Sequence, residues 1–505
     1  MRAEEGGRPT MTTATVSARD VIAKLDPAEI WGYFAELSAI PRPSKREERV
    51  RDWVLSIGAR HGWKSRTDAV GNVVFDVPAT PGCERAASVA LQSHLDMVCE
   101  KNADVEFDFD RDPLRLRVDG DDLRATGTTL GADNGIGVCA ALAAASAAGV
   151  RHGPLELLFT IDEETGLTGA SAISPEIVKS RRMINLDSEE DDTLYIGCAG
   201  GRTTTLSTSL DLSAASADEA PLCVRVTGLR GGHSGGDIHE CRGNANKLLA
   251  RTLARFAGPF RLASIEGGNK HNAIPREAKA DVLVPRDRVA ECRKASDAAL
   301  VEFRRVLAGI DDGVQVSVTD GPAGLYAADP GASRRLVDLV NGLPDGVLGV
   351  SRVIKGLVES SNNVAVISWE HLGASKADVR IVASSRSSSG PHLTAVLEQV
   401  AGVARLAGWK AAHSDGYPGW APNPDSKLLE VCSKAYQRLF GEPPHVTAIH
   451  AGLECGVIGE RIGGMDMISF GPTIRGAHSP DERVSIPSVQ KFWRLLKAVL
   501  ADLAA

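Results

Sequence analysis

The sequence lacks the features by which several classes of protein are recognised. It has no Cys-x-x-Cys pair, and its nine cysteines are an odd, scattered set, which argues against a disulfide framework and a thiolate zinc site. No apolar run reaches the roughly 20 residues that a membrane span needs, and residues 1–20 lack the apolar segment of a secretory signal. No run is rich in lysine or arginine, and the net charge is −8. These absences predict a cytoplasmic protein with reduced cysteines that binds neither nucleic acid nor membranes.

The composition is that of an ordinary folded protein, with 43% hydrophobic and 24% charged residues. A chain of 505 residues exceeds what one hydrophobic core usually supports, so two or more domains are expected. Residues 1–20 are predicted to be a disordered extension, with Met1 and Met11 as alternative starts. Strand and helix patterns over residues 21–191 and 401–505 predict one discontinuous α/β domain, and residues 192–400 predict an inserted α+β domain.

Acidic or imidazole side chains follow three short apolar strands. The strands and their following residues are 88–92 with His94 and Asp96, 155–161 with Glu163 and Glu164, and 183–186 with Asp187. Because open α/β sheets bind ligands at the carboxyl ends of their strands, we expect these side chains to share a site. Asp133 lies near the start of an Ala-rich helix predicted over residues 138–148, and His478 lies in a tight loop.

Each of these residues alone has an ordinary structural explanation. His94 fits a core histidine, Asp133 fits a helix cap, and the run 162–164 fits a solvated loop. Together they supply two histidines, three carboxylates and one further glutamate, which is what a hydrolytic site with two divalent ions requires. His94 and Asp96 point to one face of a strand, so the carboxylate can orient the imidazole. This donor set favours Zn²⁺, with Co²⁺ or Mn²⁺ as alternatives.

Seven ordered motifs between about residues 30 and 500 resemble the aminoacyl-histidine dipeptidase (peptidase D, Xaa-His dipeptidase) branch of the M20 metallopeptidases. The motifs are SHLDMV, GADNGIG, DEETG, NLDSE, GGHSG, HAGLECG and HSPDER. The resemblance implies a zinc-peptidase-like catalytic domain with a mixed sheet flanked by helices, and an inserted α+β lid domain. It also implies hydrolysis of Xaa-His and related dipeptides with two divalent ions. We expect the protein to be a monomer or a homodimer.

The same resemblance implies a role for each residue of the predicted metal site. Asp133 would bridge two ions, with His94 and Asp187 on one and Glu164 and His478 on the other. Glu163 would be the general base and Asp96 would orient His94. The peptide bond between Asp133 and Asn134 would be cis.

In the inserted segment, the resemblance implies a set of substrate-binding residues. His233 would stabilise the oxyanion, Asn272 and Arg386 would hold the substrate, and His450 and Glu454, four apart on one predicted helical face, would line its pocket. A glycine turn, a surface turn and a solvated arginine are the structural alternatives for the first three. The alternative functions are an M20-type N-acyl amino acid amidohydrolase or tripeptidase and, more distantly, a non-catalytic binding protein with this fold.

Overall fold

A computed structural model of the protein describes residues 18–505. Residues 1–17 of the predicted extension lie outside the described residues, and a helix begins at Ala18, within the stretch 1–20. The chain divides into two compact units. Unit 1 consists of the described residues up to Tyr195 together with Asp425–Val446 and Arg461–Ala505, and unit 2 consists of Ile196–Pro424 and Thr447–Glu460.

Thirteen α-helices are found within residues 18–505. They are α1 (Ala18–Ile22), α2 (Ala28–Leu37), α3 (Glu48–His61), α4 (Ala132–Ser146), α5 (Glu163–Gly166), α6 (Thr168–Ala172), α7 (Ala245–Leu253), α8 (Val289–Val306), α9 (Pro330–Gly342), α10 (Gly390–Leu406), α11 (Lys427–Phe440), α12 (Glu454–Ile462) and α13 (Ile486–Leu503). Their limits follow local chemistry: Ser426 Oγ accepts a hydrogen bond from Leu429 N at the start of α11, and α3 ends at Gly62 with a left-handed φ of 70°. Over the described part of the chain, no helix has the length and apolar character to cross a membrane.

The same residues form 24 strands. They are β1 (Lys64–Thr67), β2 (Val73–Val77), β3 (Val89–His94), β4 (Leu116–Asp119), β5 (Asp122–Ala125), β6 (Leu155–Thr160), β7 (Arg182–Asn185), β8 (Thr193–Cys198), β9 (Gly200–Ala214), β10 (Glu219–Thr227), β11 (Gly232–His233), β12 (Arg261–Gly267), β13 (Ala273–Ile274), β14 (Ala278–Pro285), β15 (Gln315–Asp320), β16 (Tyr326–Ala328), β17 (Gly346–Val350), β18 (Val358–His371), β19 (Lys376–Ser387), β20 (Lys410–His413), β21 (His445–Ile449), β22 (Asp466–Ser469), β23 (Ile474–Arg475) and β24 (Arg483–Ser485). The three apolar runs that precede the predicted ligands are strands β3, β6 and β7.

Unit 1 is built around an eight-stranded mixed sheet with the order β1-β2-β6-β3-β7-β22-β8-β21. Its central strands β6, β3, β7 and β22 run parallel, with Val89 opposite Leu155 and Ala90 opposite Met183. β3 and β6 are buried along their whole length, as near-continuous apolar strands are expected to be. α4 packs on β3, and α2 packs on α4. The carboxyl ends of β6, β3 and β7 therefore lie side by side.

A row of buried polar side chains connects these parallel strands at or near their carboxyl ends. Asn185 Nδ2 donates to Gln92 Oε1, and Asn185 Oδ1 accepts from Ser469 Oγ. Gln92 Nε2 in turn donates to Thr160 Oγ1 at 3.2 Å. The row thus spans β6, β3, β7 and β22, two residues before His94 on one strand and two residues before Asp187 on another.

Unit 2 contains an antiparallel sheet with the order β15-β10-β14-β12-β18-β19-β9-β16, to which β17 and β20 add at β18 and β9. α7 packs against α8, α9 and β10, and α10 packs against β9 and β19. Its apolar core includes Leu249, Phe303, Leu336 and Ile381. This is the α+β architecture predicted for the inserted segment.

The limits of the inserted unit differ from the predicted range 192–400, because unit 2 runs on to Pro424 and includes Thr447–Glu460. Residue 401 lies within α10, an unbroken helix that packs on β9 and β19. β20 then pairs with β9 from Lys410 to His413. The chain therefore returns to unit 1 at Asp425 and not at residue 401.

Candidate active site

The structure brings the five predicted metal ligands together in unit 1. His94 ends β3, Glu164 lies in α5 directly after β6, and Asp187 follows β7. Asp133 is near the start of α4, and its peptide bond to Asn134 is cis, as the resemblance implied. His478 lies in the loop between β23 and β24. Five separate parts of the sequence thus meet at the carboxyl edge of the sheet.

Asp133 lies between the two histidines and presents one carboxylate oxygen to each. His94 Nε2 is 3.1 Å from Asp133 Oδ1, and His478 Nε2 is 3.2 Å from Asp133 Oδ2. Each ring also faces a carboxylate of its own: His94 Nε2 is 3.3 Å from Asp187 Oδ1, and His478 Nε2 is 3.0 Å from Glu164 Oε2. Two similar ligand groups therefore share Asp133, which is the arrangement that two divalent ions with one bridging carboxylate need.

The chemistry of these donors fits two divalent ions. Ligand atoms of His94, Asp133 and Glu164 all lie within 4.8 Å of one another. Glu164 Oε1 is buried and has no hydrogen-bond partner among the described residues, which is costly for a carboxylate unless a cation meets it. Imidazole nitrogen combined with carboxylate oxygen suits Zn²⁺ and similar first-row ions.

The close packing of charged groups shifts the pKa values of the predicted ligands. Burial raises the pKa of Asp187 to about 7, although the positive charge of His94 acts in the opposite direction. Hydrogen bonds to Asp133 and Glu164 raise the pKa of the His478 imidazole to about 11. Shifts of this size are typical of functional sites.

Asp96 is fully buried and connects the ring of His94 with the turn that carries the two glutamates. Its Oδ1 is 3.3 Å from His94 Nδ1 and accepts a hydrogen bond from Glu163 N at 3.1 Å. Its Oδ2 accepts from Glu164 N at 3.2 Å and from Ser44 Oγ at 2.7 Å. Burial works to raise the pKa of Asp96, but the hydrogen bond and charge of His94, together with the hydrogen bonds from Ser44 and Glu163 N, lower the pKa to about 2. Asp96 therefore stays ionised, and it holds in place both the His94 ring and the turn that carries Glu163 and Glu164.

The turn after β6 is held by Asp162 and Glu47, and the sequence analysis assigned a role to neither. Asp162 has a left-handed backbone with φ 48°, an unusual conformation for a residue with a side chain. Its carboxylate accepts hydrogen bonds from Thr165 and Thr168, and its N–H donates to Glu47 Oε1 at 3.0 Å. Asp162 directly follows the predicted strand 155–161, but nothing in the sequence marks Glu47 as its partner.

The comparisons with known proteins agree with this geometry. The signature of peptidase family M20/M25/M40 matches residues 90–502. The chain belongs to this family. It is 39% identical to the cytosol non-specific dipeptidase of Escherichia coli (strain K12) over 489 residues, which cover 96% of this chain and 99% of that protein. The predicted family and peptide hydrolase class are thus confirmed.

Solved structures of similar proteins confirm the fold class. Aminoacylhistidine dipeptidase from Vibrio alginolyticus superposes with a TM-score of 0.86 at 38% identity, covering 95% of this chain and 97% of that one. An aminopeptidase from Bacillus cereus superposes with a TM-score of 0.58 at 15% identity, covering 95% and 100% of the two chains. The second similarity concerns the fold alone.

In unit 2 of this M20 peptidase, three of the predicted substrate-binding residues meet around Gly235. A Cβ atom at Gly235 would lie 2.4 Å from His450 O, 3.1 Å from His233 Cε1 and 3.3 Å from Arg386 Nε. Only glycine permits so close an approach. Asn272 adjoins the group, since its carbonyl oxygen accepts a hydrogen bond from Ser234 N at 2.8 Å.

Arg386 and His450 are both buried, but Arg386 carries a positive charge whereas His450 is neutral. Arg386 Nη1 donates to Tyr417 Oη at 2.7 Å, while Arg386 Nε is buried without a hydrogen-bond partner among the described residues. His450 Nε2 lies 2.7 Å from Ser361 Oγ. Burial, helped by the charge of Arg386, lowers the pKa of His450 to about 4, so this ring is neutral at pH 7.

His233 is exposed, and its ring is oriented by the local backbone. Gly236 N donates to His233 Nδ1 at 3.0 Å, and His233 N donates to Asp237 Oδ2 at 2.7 Å. A neutral imidazole that accepts at Nδ1 carries its hydrogen on Nε2. The turn therefore selects the tautomer that can donate a hydrogen bond from Nε2.

The prediction that His450 and Glu454 share a helical face is wrong. α12 begins at Glu454, which is fully buried, and His450 lies in the bend that follows β21. The backbone of His450 approaches Gly235, and a Cβ atom at Gly452 would lie 2.9 Å from the Tyr417 ring. These contacts hold residues 450–453 outside the helix. The spacing of four between His450 and Glu454 therefore does not place their side chains on one helical face.

Proposed function

We propose that this M20 peptidase is a dipeptidase that uses two divalent metal ions, preferably Zn²⁺, to hydrolyse Xaa-His and related dipeptides. The observation that carries the proposal is that the two oxygens of Asp133 face His94 and His478. The names of the relatives at 39% and 38% identity, a cytosol non-specific dipeptidase and an aminoacylhistidine dipeptidase, support a dipeptide substrate.

His94 and Asp187 would hold one ion, Glu164 and His478 would hold the other, and Asp133 would bridge them. Bound ions supply Lewis-acid activation of water and of the peptide carbonyl. The chain itself supplies the proton transfer: Glu163 takes a proton from the attacking water and returns it to the leaving amine. Asp96 keeps the His94 ring in one orientation and anchors Glu163 through its backbone N–H.

Unit 2 would supply the groups that recognise the dipeptide. We assign the terminal carboxylate of the substrate to Arg386, whose buried guanidinium can form charged hydrogen bonds with it. His233 Nε2–H would donate to the carbonyl oxygen as negative charge develops on it. Asn272, His450 and Glu454 would contact the rest of the substrate. A cytoplasmic location and a monomeric or homodimeric state stay predictions.

A substrate panel on metal-stripped and reloaded protein tests the proposal. The metal is removed by a chelator, Zn²⁺, Co²⁺ or Mn²⁺ is added back singly, and Xaa-His and other dipeptides are compared with tripeptides and N-acetyl amino acids. We expect no hydrolysis without metal and a clear preference for dipeptides after reloading. Preference for tripeptides or N-acetyl amino acids would favour the alternative M20 activities, and two bound ions without any hydrolysis would favour a binding protein.

A further inference from the structure

Glu482, four residues after the predicted ligand His478, is 3% exposed, and its carboxylate binds a loop from another part of unit 1. Both of its oxygens accept hydrogen bonds from backbone N–H groups of the loop that leads into α4. The four donors and their distances are Leu130 N at 2.7 Å, Gly131 N at 2.9 Å, Ala132 N at 2.8 Å and Asp133 N at 3.3 Å. N–H groups at the start of a helix have no partners within the helix, and a carboxylate is the group that meets them best.

Arg42 binds the same loop through its carbonyl groups. This residue is 2% exposed, and its Nη1 donates to Leu95 O at 3.0 Å and to Asp96 O at 2.7 Å, while its Nη2 donates to Gly131 O. Gly131 has φ 66°, and a Cβ atom there would lie 2.4 Å from Arg42 Nη2. The loop before Asp133 is therefore held to the end of β3 by a buried cation and to the His478 loop by a buried anion.

The two predicted histidine ligands differ in how firmly the protein holds them. His94 is 1% exposed at the end of a central strand, with Asp96 beside its second ring nitrogen. The His478 side chain is 54% exposed, and its backbone lies in a loop with φ 62°. The orientation of His478 thus depends more strongly than that of His94 on the contacts that its loop makes.

We propose that Glu482 is a positioning residue that couples the His478 loop to the bridging ligand Asp133, so that the second metal ion is retained. The inference rests on the two-metal site proposed above. Glu482 is not a metal ligand; it sets the place of Asp133 relative to His478 through the four backbone N–H groups. Residues that orient metal ligands in this way typically change metal affinity about 10- to 100-fold when they are replaced.

The test is Zn²⁺ binding to metal-stripped wild-type protein, Glu482→Gln and the control Asp481→Asn. Glutamine keeps the size of the side chain but turns an NH₂ group toward two backbone N–H groups, so two of the four hydrogen bonds are lost. Asp481→Asn removes one negative charge from the same loop at an exposed position. Stoichiometry is measured by elemental analysis and the two affinities by titration against a chelator, with near-UV circular dichroism and thermal unfolding of the metal-free proteins.

In Glu482→Gln we expect the first ion to bind within about 3-fold of wild type and the second about 10- to 100-fold more weakly. Asp481→Asn should bind both ions as wild type does, and Glu482→Asp, which keeps the charge on a shorter side chain, should lie between. Unchanged binding in Glu482→Gln, equal weakening of both ions, or unfolding of metal-free Glu482→Gln and Glu482→Asp would each overturn the inference. Wild-type protein that binds fewer than two ions would overturn the two-metal site itself.

Discussion

Neighbouring residues in the turn after β6 have different environments. Glu164 directs Oε2 to within 3.0 Å of His478, whereas Glu163 is half-buried and anchored by its backbone N–H on Asp96. The left-handed conformation of Asp162 brings both residues to the edge of the sheet. This difference separates a group that would bind metal from one that would carry a proton.

Replacing Glu163 by glutamine should abolish turnover without loss of metal, because the change removes a proton carrier and no ligand. We expect two bound ions per chain and a fall in kcat of at least about 10³-fold, within the range for general bases. Metal content and kcat are measured on the same preparation, with the exposed Glu176→Gln as control. Substantial activity in Glu163→Gln would exclude its role as base.

Arg386→Lys should weaken recognition of the substrate's carboxylate, because an ammonium group cannot reproduce the guanidinium fork. We expect kcat/KM for a dipeptide to fall about 10- to 100-fold, as loss of a charged hydrogen bond predicts, and that for the same dipeptide with an amidated C-terminus to change little. Arg380→Lys, an exposed arginine on the same strand, is the control. Equal losses on both substrates would argue against a carboxylate contact.

Asp345 makes the stability of unit 2 depend on pH. Burial raises its pKa from 3.8 to about 6, so the folded state holds a proton that the unfolded state has released between these values. Stability therefore falls as pH rises from about 4 to 6, by on the order of 2 kcal/mol, since Asp345 is half-buried and solvent weakens the effect. Asp345→Asn should remove this dependence, since Oδ1 can still accept from Asn244 Nδ2 and Val364 N. Calorimetry at pH 4 to 8 measures it, and the exposed Asp338→Asn should keep the wild-type profile.

Among the elements, those made of apolar runs could be predicted from the sequence. Strands β3, β6 and β7 were predicted correctly because a buried parallel strand leaves a near-continuous apolar signature. α4 begins at Ala132, before the predicted residue 138, because the glycines of the GADNGIG motif conceal a helix start. No alternation of residues could have indicated the row of polar side chains inside the sheet.

Breaking that polar row should destabilise unit 1. Asn185→Leu would remove the hydrogen bond that Gln92 Oε1 accepts and the one that Ser469 Oγ donates, and loss of a hydrogen bond by a buried polar group costs about 1–3 kcal/mol. We expect a loss of about 2–5 kcal/mol in the free energy of unfolding of the metal-free protein, measured by urea denaturation. Ser469→Ala, which leaves the hydrogen bond between Asn185 and Gln92 in place, should cost less. A neutral effect of Asn185→Leu would show that the row contributes little.

For the whole molecule, the sequence predicted an interrupted α/β unit and, from the residues that follow its apolar strands, a shared site at the sheet edge. Only the individual role of each ligand came through the resemblance. Spacing could not show that Asp133 presents one oxygen to each histidine, because that depends on the register of strands far apart in sequence. Arg42 and Glu482 were not predicted, since charged residues are normally at the surface and the partners of these two are backbone groups that carry no sequence signal. The same limit applies to Glu47.

Removing the metal should affect the two units differently, because all five predicted ligands lie in unit 1. Ions at about 1,000 times their dissociation constant stabilise the unit that binds them by about 4 kcal/mol, which corresponds to roughly 8–16 °C in Tm for a domain of this size. Calorimetry before and after chelation should show a lower Tm for unit 1 only, restored by Zn²⁺. Equal shifts of both transitions, or none, would contradict this assignment.

The order of the ligands along the chain also bears on biosynthesis. His94, Asp133, Glu164 and Asp187 are all translated before unit 2, whereas His478 and Glu482 follow it. A nascent chain on the ribosome therefore has only part of the proposed metal site until the whole inserted unit has been made. With the proposed ligands, hydrolysis would begin only in chains whose synthesis has passed the inserted unit.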